Sequence, residues 1–187
     1  IKRLMEDRLT ERIKKHPMAG IELLYEYKRF YPNQELSGQV LGAVGVDSQG
    51  VEGVEYHYDK LLYGKKKSIV FVRDARGRPI IFDKTLFMES EEGSSLVLTI
   101  DKSLQFLIER ELEAVVKRSN AKNALALIQD IGTGEILTMA HYPFFNPNKL
   151  SSYTKGHWKN RSVIDVFEPG STFKIFLAAL ALEKGIG

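Results

Sequence analysis

The amino-acid sequence predicts an α+β protein in which a β-rich region precedes a second region of segregated strands and helices. Its 187 residues are 43% hydrophobic, which is enough for one compact domain or for a small domain joined to part of a larger one. A helical apolar stripe follows Asp101, and apolar stretches at 124–129 and 136–140 flank a glycine-containing turn. These observations indicate a mixed fold and not a disordered chain.

The first region is predicted to contain one helix followed by strands and turns. Residues 2–15 are rich in charge, and the apolar side chains among them recur at helical spacing. We therefore expect an amphipathic helix that ends before Pro17. Residues 21–27 favour a strand, and the glycine-interrupted stretch 38–53 favours loop and short strand. Residues 68–82 predict a β-hairpin with glycine in its turn.

An acidic, small-residue stretch at 89–95 marks the predicted domain boundary, so that residues 1–92 and 93–187 form separate domains. After it we expect a strand at 96–100 and a helix that Asp101 caps. The apolar stripe of that helix is Leu104, Leu107, Ile108, Leu112 and Val115. A hairpin, an irregular segment at 143–170 and a final apolar helix from Ser171 complete the prediction.

Composition excludes several classes of function. The chain has no cysteine, which excludes disulfide scaffolds and thiol chemistry, and its four histidines lack ligand-like spacing, so we predict no metal and no cofactor. The net charge of +3 is spread along the chain, so we expect no nucleic-acid partner. The longest apolar run, Ile175 to Leu182, is too short to span a bilayer, and we expect both ends of the chain to be cut.

The chemically suggestive pattern is Ser-x-x-Lys, which places a hydroxyl and an amine on one face of a helix. The sequence contains it three times, at Ser119/Lys122, Ser152/Lys155 and Ser171/Lys174. The first two pairs lie in polar stretches and are interpreted as surface residues. Ser171 instead begins an apolar helix, whose N-terminus would favour negative charge on the serine oxygen and whose apolar walls would disfavour a charged Lys174.

The surrounding residues resemble the class B penicillin-binding proteins. The stretch 167–174, Phe-Glu-Pro-Gly-Ser-Thr-Phe-Lys, preceded by Asn160–Val163, is similar to their nucleophile motif. Residues 96–101 and 128–137 are similar to the start of their transpeptidase domain. Upstream, Arg29–Pro32 and Gly50–Glu55 resemble the non-catalytic pedestal of that family.

The resemblance implies a penicillin-binding transpeptidase fold, incomplete here, preceded by a β-rich pedestal of the dimerisation type. It implies that Ser171 is the acylated nucleophile and Lys174 its proton acceptor, with peptidoglycan stem peptides as substrates and β-lactams bound covalently at Ser171. A role in pedestal packing is expected for Arg29, Gly45, Gly53 and Glu55.

The same resemblance implies a partner glycosyltransferase, other cell-division envelope proteins, and a place outside the cytoplasm on a bacterial inner membrane. The single-pass anchor would lie outside this chain. The pedestal motifs favour the division type over the elongation type.

Two departures from the family pattern matter. The Ser-x-Asn and Lys-Thr-Gly elements that complete such active sites occur nowhere in the 187 residues, so we expect this chain to be an inactive front part of the enzyme. The chain also has Gly38-Gln39 where the family often has Ala-His. Two alternatives stay open: a class D-like β-lactamase or β-lactam sensor, and a non-catalytic envelope interaction module.

Overall fold

The computed structural model describes residues 7–16, 20, 21, 23, 27–64 and 93–186. The predicted hairpin at 68–82 lies outside these residues, as does most of the predicted boundary stretch. Helix α1 (Asp7–Lys15) agrees with the predicted amphipathic helix where the two overlap. Of the predicted strand at 21–27, residues 21, 23 and 27 are described, and none of them is in a strand.

The described part of the first region is built of short elements around a two-stranded antiparallel sheet. Its strands are β1 (Ala43–Val44) and β2 (Gly50–Glu52), and Ala43 pairs with Glu52. Three short helices accompany them: α2 (Gly38–Leu41), α3 (Gly53–His57) and α4 (Asp59–Leu62).

The expectation of only loop and short strand at 38–53 was therefore wrong. One of the glycines in this stretch, Gly42, ends helix α2. Gly42 has φ of 76°, and a Cβ at this position would overlap the carbonyl oxygen of Glu52.

The second region is built on one long helix and one hairpin. Helix α5 (Lys102–Ser119) begins where predicted, since the Asp101 carboxylate accepts a 2.7 Å hydrogen bond from the Leu104 N–H. Strands β3 (Ala124–Gln129) and β4 (Ile136–Tyr142) pair antiparallel, with Ala126 opposite Ala140, and α5 packs on β4. The predicted hairpin is confirmed, with β4 two residues longer.

The segment predicted as a strand at 96–100 is not one in the structure, since among the described residues it makes only isolated bonds to the start of β4. The Thr99 hydroxyl donates to the Ile136 carbonyl at 2.7 Å, and the Asp101 N–H donates to the Leu137 carbonyl at 2.9 Å. The chain then turns at once into α5, so no ladder of backbone bonds develops.

The segment predicted as irregular contains three short helices. They are a 3₁₀ helix (Pro147–Ser152), α6 (Lys155–Trp158) and α7 (Arg161–Ile164). The Phe145 side chain is fully buried, with ring centroids of Tyr153 at 5.4 Å and Trp158 at 6.4 Å. The final helix is a 3₁₀ turn (Gly170–Phe173) that continues as α8 (Lys174–Glu183). Within the described residues no helix has the length and apolar character needed to cross a bilayer.

Candidate active site

Ser171 lies in the tight turn that leads into α8. Gly170 has φ of 53°, and the Thr172 N–H donates to the Pro169 carbonyl at 3.1 Å, which closes the turn. Pro169 and Gly170 thus set the direction of the chain into the helix. Lys174 follows three residues after Ser171, and side chains three apart in a 3₁₀ helix lie along one edge.

The described residues leave this pair open to solvent. Ser171 and Lys174 are both exposed, and in the described part of the chain no hydrogen bond joins their side chains. No residue of α8 is buried, and the Phe173, Phe176 and Leu177 side chains are 60–66% exposed. The apolar walls predicted around Lys174 are therefore not supplied by the described residues.

The other two Ser-x-x-Lys pairs have ordinary surroundings. The Ser119 hydroxyl donates a 2.8 Å bond back to the Val115 carbonyl at the end of α5, which is common for serine in helices. Ser152 ends the first 3₁₀ helix and Lys155 begins α6, so the two residues belong to different elements. Both serines and their lysines are exposed.

The two regions are joined by buried polar side chains that bind backbone groups across the interface. The Glu109 carboxylate on α5 accepts a 2.9 Å bond from the Ser37 N–H and a 2.7 Å bond from the Gln105 amide. Gln105 also accepts a 2.9 Å bond from the Met139 N–H of β4. Burial is the main reason that the pKa of Glu109 is raised from its ordinary value, and the two hydrogen bonds oppose that shift.

Further contacts connect the two regions. Tyr31 and Asn148 bond reciprocally, because the Tyr31 N–H donates to the Asn148 side chain at 3.0 Å and the Asn148 amide donates to the Tyr31 carbonyl at 2.8 Å. The buried Gln39 amide donates to the carbonyls of Pro143 at 2.8 Å and His157 at 3.3 Å. Gly38 lies so close to Phe145 that a Cβ would overlap the Phe145 carbonyl oxygen.

Sequence reasoning missed this interface. Gln105 and Glu109 are polar residues on a helix, and nothing local distinguishes them from the exposed Glu111. The departure at Gly38-Gln39 was the one available signal. The residues expected to pack the pedestal do so: Arg29 forms a 2.7 Å ion pair with Glu55, Gly53 packs against Gly42, and the Gly45 N–H donates to the Gln49 carbonyl.

His141 on β4 is buried and holds the start of α7. Its Nε2 atom accepts a 3.3 Å hydrogen bond from the Ser162 N–H and lies 2.8 Å from the Ser162 hydroxyl oxygen. Acceptance at Nε2 fixes the neutral ring with the proton on Nδ1. Burial lowers the pKa of His141, and the nearby Arg161 charge lowers it further. Across the described residues, no group of three or more His, Cys, Asp or Glu side chains is arranged to hold a metal ion.

Comparison with family profiles matches both regions. Residues 1–98 match the penicillin-binding protein dimerisation domain, and residues 124–187 match the penicillin-binding protein transpeptidase domain.

Individual relatives agree with the family profiles. The chain is 39% identical over 178 residues to the peptidoglycan D,D-transpeptidase FtsI of Escherichia coli K12. The aligned residues cover 95% of the chain and 30% of that protein. It is 32% identical to the probable peptidoglycan D,D-transpeptidase PenA of Neisseria gonorrhoeae, covering 99% of the chain and 32% of that protein. The chain thus spans about a third of the length of these curated relatives.

Solved structures show the same similarity. Penicillin-binding protein 3 of Mycobacterium tuberculosis aligns with a TM-score of 0.66 at 29% identity, over 85% of this chain and 32% of that one. Crystal structures of that protein with aztreonam and with ampicillin align equally well.

Proposed function

Because the chain belongs to the class B penicillin-binding proteins of the division type, we propose that it supplies the nucleophile of a peptidoglycan D,D-transpeptidase. The observation that carries this proposal is the placement of Ser171 and Lys174 one 3₁₀ turn apart at the start of the apolar α8, inside the region that matches the transpeptidase domain. The other two Ser-x-x-Lys pairs have no comparable setting.

In the proposed reaction the Ser171 Oγ attacks the carbonyl of the penultimate D-Ala of a stem peptide, and Lys174 serves as the acceptor of the hydroxyl proton. The C–N bond to the terminal D-Ala then breaks and the leaving amine gains a proton. An amine of a neighbouring stem peptide attacks the resulting ester and releases Ser171. A β-lactam would acylate the same oxygen by opening its ring.

The domain division is part of the proposal. Residues 1–92 would form the pedestal and residues 93–187 the first part of the transpeptidase domain, completed by Ser-x-Asn and Lys-Thr-Gly elements that these 187 residues do not contain. A location outside the cytoplasm and partners among glycosyltransferases and division proteins follow from the family and are proposed with it.

Covalent labelling of the full-length protein with a fluorescent penicillin tests the assignment. Ser171→Ala should abolish labelling, whereas Ser119→Ala and Ser152→Ala, which remove the serines of the other two pairs, should leave it unchanged. Labelling that survives Ser171→Ala would refute the choice of nucleophile. Rapid release of the label would instead identify a hydrolase, and absence of labelling in the unmodified protein would identify a binding module.

A further inference from the structure

A second feature, separate from Ser171, is an open cavity of about 320 Å³ between the two regions. Gln39 of α2 lines it from the first region, and residues between 122 and 161 line it from the second. This volume is at the lower end of the range typical of small-molecule sites. The cavity therefore suits a compact ligand.

The cavity is basic. Lys122, Lys159 and Arg161 line it, and among the residues that the structure describes no aspartate or glutamate does. Neither lysine has an ion-pair partner among the described residues. One nitrogen of Arg161 lies 3.1 Å from the half-exposed Asp165 carboxylate, which leaves the other guanidinium N–H groups available.

Part of the cavity wall, including the start of the helix that carries Arg161, is held in place by hydrogen bonds within the protein. Gln39 binds the carbonyls of Pro143 and His157, which both line the cavity. His141 lines the cavity too, and its two contacts with Ser162 fix the helix that Arg161 begins. Such preorganisation distinguishes the cavity from a row of lysines on an open surface, because less ordering is needed on binding.

We propose that this cavity is a binding site for a small phosphate-bearing anion that bridges the two regions. A guanidinium fork suits the paired oxygens of a phosphate, and ammonium groups bind phosphates as point charges. Arg161 is already paired with Asp165, so the two lysines and the remaining guanidinium N–H groups favour a ligand with two or more negative charges. This inference does not depend on the proposed transpeptidase function.

Isothermal titration calorimetry of the full-length protein with sodium pyrophosphate at fixed ionic strength tests the proposal. We expect one saturable site with Kd below about 1 mM, weakened about tenfold or more by the double variant Lys122→Gln/Lys159→Gln. The matched control is Lys102→Gln/Lys149→Gln, which removes two exposed lysines that do not line the cavity and should change Kd less than about twofold.

Two outcomes would overturn the proposal. One is the absence of saturable pyrophosphate binding, and the other is equal weakening by the two double variants, which would indicate non-specific attraction. If pyrophosphate does not bind, vesicles of phosphatidylglycerol test what the two lysines contact instead. If Lys122 and Lys159 were needed for vesicle binding while pyrophosphate did not bind, they would form a membrane-facing surface and not a ligand cavity.

Discussion

The Glu109 carboxylate accepts a 2.9 Å hydrogen bond from the Ser37 N–H, although 72 residues separate the two in sequence. Both residues are buried, with Glu109 8% exposed and Ser37 8% exposed. A buried carboxylate that binds a backbone N–H fixes the position of that segment, because the donor has no water to replace its partner. This bond therefore ties the segment before α2 to helix α5.

Removing the carboxylate should destabilise the protein. Glu109→Ala leaves the Ser37 N–H buried without an acceptor, at a cost of about 2 kcal/mol in the free energy of unfolding. Glu113→Ala, on the same helix, removes only an exposed ion pair with Lys117 and should cost about 0.5 kcal/mol or less. Urea unfolding of the full-length variants measures both values. Equal costs would mean that the interface contact contributes no more than a surface pair.

The pH dependence of stability should report the raised pKa of Glu109. Above the ordinary pKa of 4.5 the unfolded carboxyl is ionised while the folded one still holds its proton, so the stabilisation is present at low pH and is lost as pH rises through the folded pKa. Relative to Glu109→Gln, the unmodified protein should thus lose stability as pH rises from about 4.5. A difference that is independent of pH, or that grows with pH, would contradict the predicted shift.

The local pattern of the sequence predicted the cap and the start of α5 but not the face that it buries. The predicted stripe is half-buried or exposed, with Leu107 and Val115 each 42% exposed, whereas Gln105, Glu109 and Val116 are buried. Hydrophobic periodicity assumes that apolar side chains choose the buried face. Here the backbone partners of Gln105 and Glu109, at Met139 and Ser37, lie 34 and 72 residues away, and a local window does not contain them.

The candidate nucleophile could be chosen from sequence because its context is local. Glu168, Pro169 and Gly170 precede Ser171 directly, and the apolar helix follows it. The basic cavity could not be foreseen, since Gln39, Lys122 and Arg161 meet only after the two regions pack together. Long-range arrangement is the information that a single sequence did not provide.

The lysine of the proposed pair should be required for acylation. Lys174→Ala removes the proposed proton acceptor, and general-base contributions are on the order of 10²- to 10⁴-fold in rate. A time course of labelling of the full-length protein with a fluorescent penicillin gives the rate constant of acylation. Lys155→Ala, the lysine of a different Ser-x-x-Lys pair, is the control and should label at the unmodified rate. A loss below about fivefold for Lys174→Ala would assign the proton to another group.

The 187-residue chain alone should not be acylated measurably by penicillin. It contains neither Ser-x-Asn nor Lys-Thr-Gly, and loss of a single oxyanion-hole donor already costs roughly 10²- to 10³-fold. The exposed apolar side chains of α8 should also promote self-association of the isolated chain. Labelling is compared with that of the full-length protein, and circular dichroism verifies that helix is present. A monomeric chain that labels near the full-length rate would show that these residues suffice.

The central claim is that Ser171 is the acylated residue, and mass spectrometry tests it most directly. Trypsin cleavage after Arg161 and Lys174 yields a peptide of residues 162–174, which contains Ser162, Ser171 and Thr172 as its hydroxyl-bearing residues. After reaction of the full-length protein with penicillin, we predict that fragmentation of this peptide places the added mass on Ser171. An adduct on Ser162 or Thr172, or on any other peptide of the protein, would contradict the account.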